Sequence, residues 1–146
     1  MKITLGVIGK CKESSPEGEI IKRYQERMKW NLQIKEKDNS TQAEEAVFLQ
    51  SCIAPNAKVV VLDERGKNMS SPELASIIEN WMTSGTSEIC FLIGGADGHL
   101  EETRQKADLV LSFGKLTLPH ILMRAVLAEQ IYRAETIISG HPYHRV

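Results

Sequence analysis

An excess of charge of either sign is absent: 18 Lys and Arg stand against 19 Asp and Glu, for a net charge of −1. That balance excludes the strongly basic signature of a free-standing nucleic-acid binder, so any RNA partner must be met by local patches and by shape. Long apolar runs are missing too. No stretch approaches the length of a transmembrane helix, and Met1-Lys-Ile-Thr-Leu-Gly6 lacks the layout of a signal peptide, so a cytoplasmic protein is expected. Cysteines are few and odd in number. Cys11, Cys52 and Cys90 lie far apart, which argues against a disulfide framework and for inert thiols in a reducing compartment. The common nucleotide motifs also fail. Gly9-Lys10 and Gly66-Lys67 lack both the glycine five positions earlier and the Ser or Thr that a P-loop needs, and no Gly-x-Gly-x-x-Gly follows the first apolar run. His141 and His144 are three apart, but Pro142 between them breaks a helix and no third ligand is near, so no metal is expected.

What is present is an alternation of strand and helix signals. Ile3 to Ile8 reads as a buried strand, Pro16 to about Trp30 as a helix opened by Ser15, and Leu32 to Lys37 as a half-exposed, edge-like strand. A capped helix runs from Ser40 to about Cys52. The β-branched run Lys58 to Leu62 reads as a central parallel strand, with Asp63–Lys67 as its exit loop. A helix starting at Ser71-Pro72-Glu73, a strand Glu88–Ile93, a weak helix from Glu101 to Ala107 and a strand from Leu109 to Phe113 complete the pattern. It predicts one α/β domain over residues 1–146, with a mainly parallel sheet and helices on both faces. Ligands in such sheets gather beyond the carboxyl ends of the strands. Three glycine-bearing segments qualify, at Asp63–Lys67, Gly94–Gly98 and Phe113–Leu118, and their backbones can converge on one small molecule.

The segment from Phe113 to Arg145 is the most unusual. A proline at position 119 starts a helix predicted to run to about Ile138, with Thr117 or Leu118 as its cap. Its apolar residues form three stripes: Leu127, Ile131, Ala134 and Ile138; Ile121, Ala125, Ala128 and Tyr132; Leu122, Val126 and Ile137. A helix apolar nearly all round must be covered from at least two sides, and a second copy of the chain is the cheapest second cover, the alternative being a central helix wholly buried within one chain. Arg124 lies among these stripes. Glu135, the acid nearest its face, is roughly 16 Å further along the axis, so Arg124 requires a partner from another element. The closing residues Gly140-His-Pro-Tyr-His-Arg145 concentrate proton-transfer and phosphate-binding groups beside the end of that helix.

Leu62-Asp-Glu-Arg-Gly-Lys67 followed by Ser70-Ser71, Ile93-Gly-Gly-Ala-Asp-Gly98, Leu116-Thr-Leu-Pro-His120, Arg124, Glu129-Gln-Ile-Tyr-Arg-Ala134 and His141-Pro-Tyr-His-Arg145 together resemble the RlmH family. These are small SPOUT-class methyltransferases of pseudouridine in large-subunit (23S) ribosomal RNA. The resemblance is specific from about Lys58 to Arg145 and looser before it. It implies a trefoil-knotted α/β fold without a separate RNA-binding domain, a homodimer packed through the knot, and methylation of N3 of a pseudouridine on the assembled ribosome. S-adenosylmethionine would be held by Leu62, Gly94, Phe113, Gly114, Lys115, Leu116, Thr117 and Leu118. The family pattern often carries serine at the position of Gly114, a departure that leaves only backbone contact there. Catalytic roles would fall to Arg124, His141, Tyr143, His144 and Arg145. Two alternatives are methylation of another base or of a ribose 2′-hydroxyl, and a non-catalytic dimer that binds an adenosine ligand.

Overall fold

The strand and helix signals resolve into a single sheet, described for residues 1–144 of the computed structural model. In chain order the elements are β1 (Lys2–Ile8), α1 (Pro16–Arg27), β2 (Asn31–Lys37), α2 (Gln42–Ser51), β3 (Lys58–Lys67), α3 (Ser71–Thr83), β4 (Glu88–Ile93), α4 (Glu101–Lys106), β5 (Leu109–Leu111) and α5 (His120–Ser139), closed by a 3-10 turn over Pro142–His144. The sheet order is β2-β1-β4-β3-β5, and every neighbouring pair is parallel. β2, whose apolar and charged residues alternate, is an edge strand as expected.

Alternate residues of the central strands point to opposite faces, and both faces are covered. Leu5, Val7, Val60, Phe91 and Ile93 pack with Leu74 and Ile78 of α3 and with Leu127 and Ile131 of α5. Val59, Val61, Cys90 and Leu92 face the other way, against Leu49 of α2 and Ala107 at the end of α4. Burial pushes the Cys90 thiol up to about 12 and raises Cys52 as well, so both are poor nucleophiles near neutral pH. Local chemistry sets the helix starts. Ser15, Thr41 and Ser70 each accept a hydrogen bond from the backbone N–H three residues on.

Three details differ from the sequence expectation. Asp63–Lys67 is not a loop: β3 continues through it, with both Leu62 and Lys67 paired to Leu111 across a bulge. Gly66 makes this possible, since a Cβ there would lie 2.6 Å from the Val110 carbonyl oxygen. Secondly, α5 is capped by Pro119 itself, whose carbonyl accepts the Met123 N–H, and no side chain caps the first turn. Thirdly, most of α5 is covered within one chain. α1 and α3 flank it, leaving Leu127, Ala128, Ile131 and Ala134 fully buried; a fully buried leucine or isoleucine contributes about 1.5–3 kcal/mol. The most exposed apolar side chains of this helix are Ile121 and Leu122 in its first turn, and Leu116 of the preceding loop is exposed as well. Among the described residues, no helix is long and apolar enough to cross a membrane.

Candidate functional site: a donor cleft at the sheet edge

At the carboxyl ends of β3, β4 and β5 lies a cleft of about 590 Å³, within the usual range for small-molecule sites. The three segments singled out in the sequence do converge there. Leu62, Asp63 and Arg65 come from β3, the turn Gly94–Gly98 from the end of β4, and Phe113, Gly114, Leu116, Thr117 and Leu118 from the loop that enters α5. Of the eight candidate ligand positions, seven line the cleft; Lys115 is exposed and does not. Ser112 holds the loop in shape, its hydroxyl accepting from Gly114 N and donating to Gly114 O. Gly114 has φ +119°, a conformation that side chains disfavour, which accounts for glycine at this point. His120 and Met123 of α5 close one end.

The turn Gly94–Gly98 is shaped by its own contacts. A Cβ on Gly94 would sit 3.2 Å from the Gly98 carbonyl carbon and 3.3 Å from the ring of His99, whereas a Cβ on Gly95 would run into the Glu45 carboxylate at 2.7 Å. The first glycine thus keeps the cleft side of the turn open. The second makes room for the buried Glu45, which in turn accepts from Ser40 N.

His99 had no signal in the sequence reading beyond its position after the turn, yet it is the most unusual group of the site. It is 7% exposed, and neither ring nitrogen has a hydrogen-bond partner. Burial lowers its pKa from the ordinary histidine value; Asp63 and the nearby carbonyls of Leu92 and Leu62 oppose that shift, and Arg104 adds to it. An unsatisfied buried polar group costs about 1–3 kcal/mol. Around it stands an ordered frame, also unforeseen: Arg104 of α4 donates to the His99 carbonyl at 2.8 Å and pairs with Asp63 at 3.4 Å. Lined by Leu62, Ile93, Leu111 and Phe113, with glycine backbone and an unsatisfied imidazole, the cleft fits an adenosyl ligand.

The other candidate residues lie elsewhere. Arg124 is 2% exposed and finds its partners on other elements, as required: its guanidinium pairs with Glu36 of β2 and donates to Gly9 O at 3.0 Å. Glu36 also accepts from Cys11 N. Glu135 instead accepts from the N–H groups of Lys29 and Trp30, pinning the turn between α1 and β2. The tail turns at Gly140, in the left-handed conformation of a helix C-cap, and folds back on its own α5. Tyr143 donates to Glu129 at 2.7 Å, its hydroxyl lies 3.3 Å from that of Tyr24, and its ring sits edge-on to Tyr132 at 4.7 Å and under Arg133 at 5.1 Å. Burial and the bond to Glu129 raise the Tyr143 phenol well above its ordinary value, so it stays protonated. His141 is exposed and accepts from Tyr143 N through Nδ1; His144 is half-buried; Arg145 lies outside the described residues. None of the described tail residues lines the cleft. No cluster of His, Cys, Asp or Glu suited to a metal occurs among the described residues.

Comparison with known proteins agrees with this geometry. The family model described as "Predicted SPOUT methyltransferase" matches residues 1–144. The chain is 41% identical over 152 residues to "Ribosomal RNA large subunit methyltransferase H" of Paramagnetospirillum magneticum, covering 99% of each chain. It is 47% identical over 143 residues to the protein of the same name from Zymomonas mobilis, covering 98% of this chain and 95% of that one. A solved structure of a probable methylase family protein from Haemophilus influenzae superposes with a TM-score of 0.57 over 99% of this chain and 70% of the other, at 11% identity, a likeness of fold. With the parallel sheet, the glycine turn after β4 and the loop into α5 all accounted for across its described length, this chain belongs to the SPOUT methyltransferase family.

Proposed function

We propose that this protein transfers the methyl group of S-adenosylmethionine to N3 of a pseudouridine in large-subunit ribosomal RNA, acting in the cytoplasm on the assembled ribosome. The observation that carries the donor half is the convergence of the β3, β4 and β5 ends on one cleft. The RNA half rests on the relatives' name and on the resemblance of the residues from Lys58 to Arg145. Relatives covered over 99% of their own length support reading residues 1–146 as one methyltransferase domain.

Bound in the cleft, S-adenosylmethionine would supply an activated methyl group; the protein's work is alignment, water exclusion and handling of one proton. Leu62, Gly94 and the run 113–118 would hold the donor, with Lys115 contributing through backbone alone. The N3 proton must leave as the base attacks. Tyr143, kept as a phenol by Glu129, is a poor acceptor, so we assign it the positioning of the tail, while His141 and His144 are the candidate acceptors and Arg145 a phosphate contact. Arg124 can bind RNA directly only by leaving Glu36, and we assign it to ordering the β1 and β2 ends beside the cleft.

The tail's position argues for a homodimer. Tyr143 is anchored at Glu129, nine residues and roughly 13 Å along α5 from His120 at the cleft, and His141 lies beyond the far end of the helix. One chain therefore keeps its tail away from its own donor. A second copy packed on Leu116, Ile121 and Leu122 would bring its tail to the first copy's cleft, with the knot formed where β5 passes into α5. The test is methyl transfer to ribosomes lacking the modification, with the product mapped by mass spectrometry. Methyl on pseudouridine N3 is expected; methyl on a ribose or another base, or no transfer, refutes the reading.

A further inference from the structure

We propose that His99 is a donor-binding residue of the cleft: its imidazole hydrogen-bonds the bound adenosyl ligand. The proposal rests on the methyl-donor reading above and deepens it. Four observations carry it. The ring belongs to the cleft wall and lies against Gly94, at the bottom of the turn that follows β4. It is more than nine-tenths buried, and neither nitrogen makes a hydrogen bond of good geometry although the Leu92 and Leu62 carbonyls lie near it. Its backbone is fixed from behind by Arg104, which is itself held by Asp63, so its position does not depend on what the ring bonds. Finally, the charged groups that face it, Asp63 from β3 and Arg104 from α4, are paired with one another and leave the ring without a counter-ion. A buried imidazole that makes no well-formed bond within its own chain, on a backbone held by others, is arranged for a ligand.

A neutral imidazole offers one N–H donor and one acceptor. Such a contact is a hydrogen bond and not a charge interaction, and it is therefore blind to the sulfonium charge. The donor S-adenosylmethionine and its neutral thioether product S-adenosylhomocysteine should feel it equally.

The experiment is calorimetric titration of both compounds into the full chain, as wild type, His99→Leu and His99→Gln. The leucine variant should weaken both ligands about tenfold, equal to ~1.4 kcal/mol, with glutamine recovering part of the loss. The ligand-free melting temperature of His99→Leu should stay level or rise, because an apolar side chain replaces an unsatisfied one. Affinities within twofold of wild type overturn the proposal, as does a loss confined to S-adenosylmethionine, which would mean that the ring acts on charge. If neither variant folds, nitrogen-15 NMR of the wild-type imidazole decides: its ring resonances should shift on saturation with S-adenosylhomocysteine, and unchanged resonances refute the contact. Failure of the wild type to bind either compound overturns the methyl-donor reading itself. Equal binding by wild type and His99→Leu overturns this inference alone.

Discussion

The donor cleft and the C-terminal tail hold most of the chemically capable residues, and they are built on opposite principles. The cleft is made of backbone: strand ends, a glycine turn and a loop held by Ser112, with His99 left unsatisfied. The tail cluster is made of side chains that satisfy one another, with Tyr143 bonded to Glu129, approached by Tyr24, met edge-on by Tyr132 and overlaid by Arg133. A region already complete in one chain is set to bind a ligand by itself. On the reading proposed above, a region whose reactive groups lie on the same chain but outside that cleft works on a site brought to it by a second copy.

The largest effect that would sharpen this contrast comes from removing Gly140–Val146. Methyl transfer should vanish while donor binding and dimerisation persist. Mixing that truncated chain with a full-length Gly94→Val chain, whose added side chain would push on Gly98 and His99, tests the geometry between copies. With free exchange, half of the dimers are mixed and one of their two sites is intact, so about a quarter of wild-type activity should return. No recovery after verified exchange would mean that the tail works in its own chain's site or that both sites must be intact together, and either outcome refutes the assignment of the tail to the partner's site. Next in size is Tyr143→Phe. Loss of the bond to Glu129 should lower kcat about tenfold and the melting temperature by about 3 °C, leaving the dissociation constant of the donor unchanged. A change in donor affinity would break the separation of the two regions.

A smaller effect concerns acid. The folded state holds His99 below its ordinary value, whereas the unfolded chain takes up that proton near pH 6.5. Stability should therefore be unaffected by this group above about pH 6.5 and fall as the pH drops below it, until the lowered folded value is reached. Thermal unfolding of wild type and His99→Leu between pH 7.5 and 5 should show a steeper acid loss in the wild type; parallel curves would refute it. The smallest effect is expected from Lys115→Ala. Its side chain is exposed and lines nothing, so donor affinity should change by less than about twofold in the same titration.

The strands were legible because parallel, two-sided burial leaves a nearly unbroken β-branched or apolar run, as in Lys58–Leu62 and Glu88–Ile93. The Asp63–Lys67 extension was not, since a bulged, partly exposed strand end carries the polar residues and glycine of a loop. Nor was the covering of α5: stripes on a helix say that it is buried but not by what, and here α1 and α3 cover much of what one copy was expected to leave bare. In the site, the glycine segments announced themselves through their places after strands. His99 did not. A histidine between a glycine turn and a helix start has no periodicity to read, and only the sheet edge reveals that it is buried, unpaired and framed by Asp63 and Arg104. Glu36 and Glu129 escaped for the same reason, their partners being 88 and 14 residues away in sequence.

The strand order has a further consequence, for how the chain is made. β1 is paired on its inner side with β4, which leaves the ribosome 86 residues later, since Lys2 faces Glu88. At bacterial or slower rates of synthesis that interval lasts roughly 4 to 17 seconds. For that time the nascent sheet has an open, apolar edge, and every parallel pairing must wait for its crossover, a topology that folds slowly and invites aggregation. The parallel order that builds the cleft thus also sets the interval during which the growing chain is exposed to mispairing.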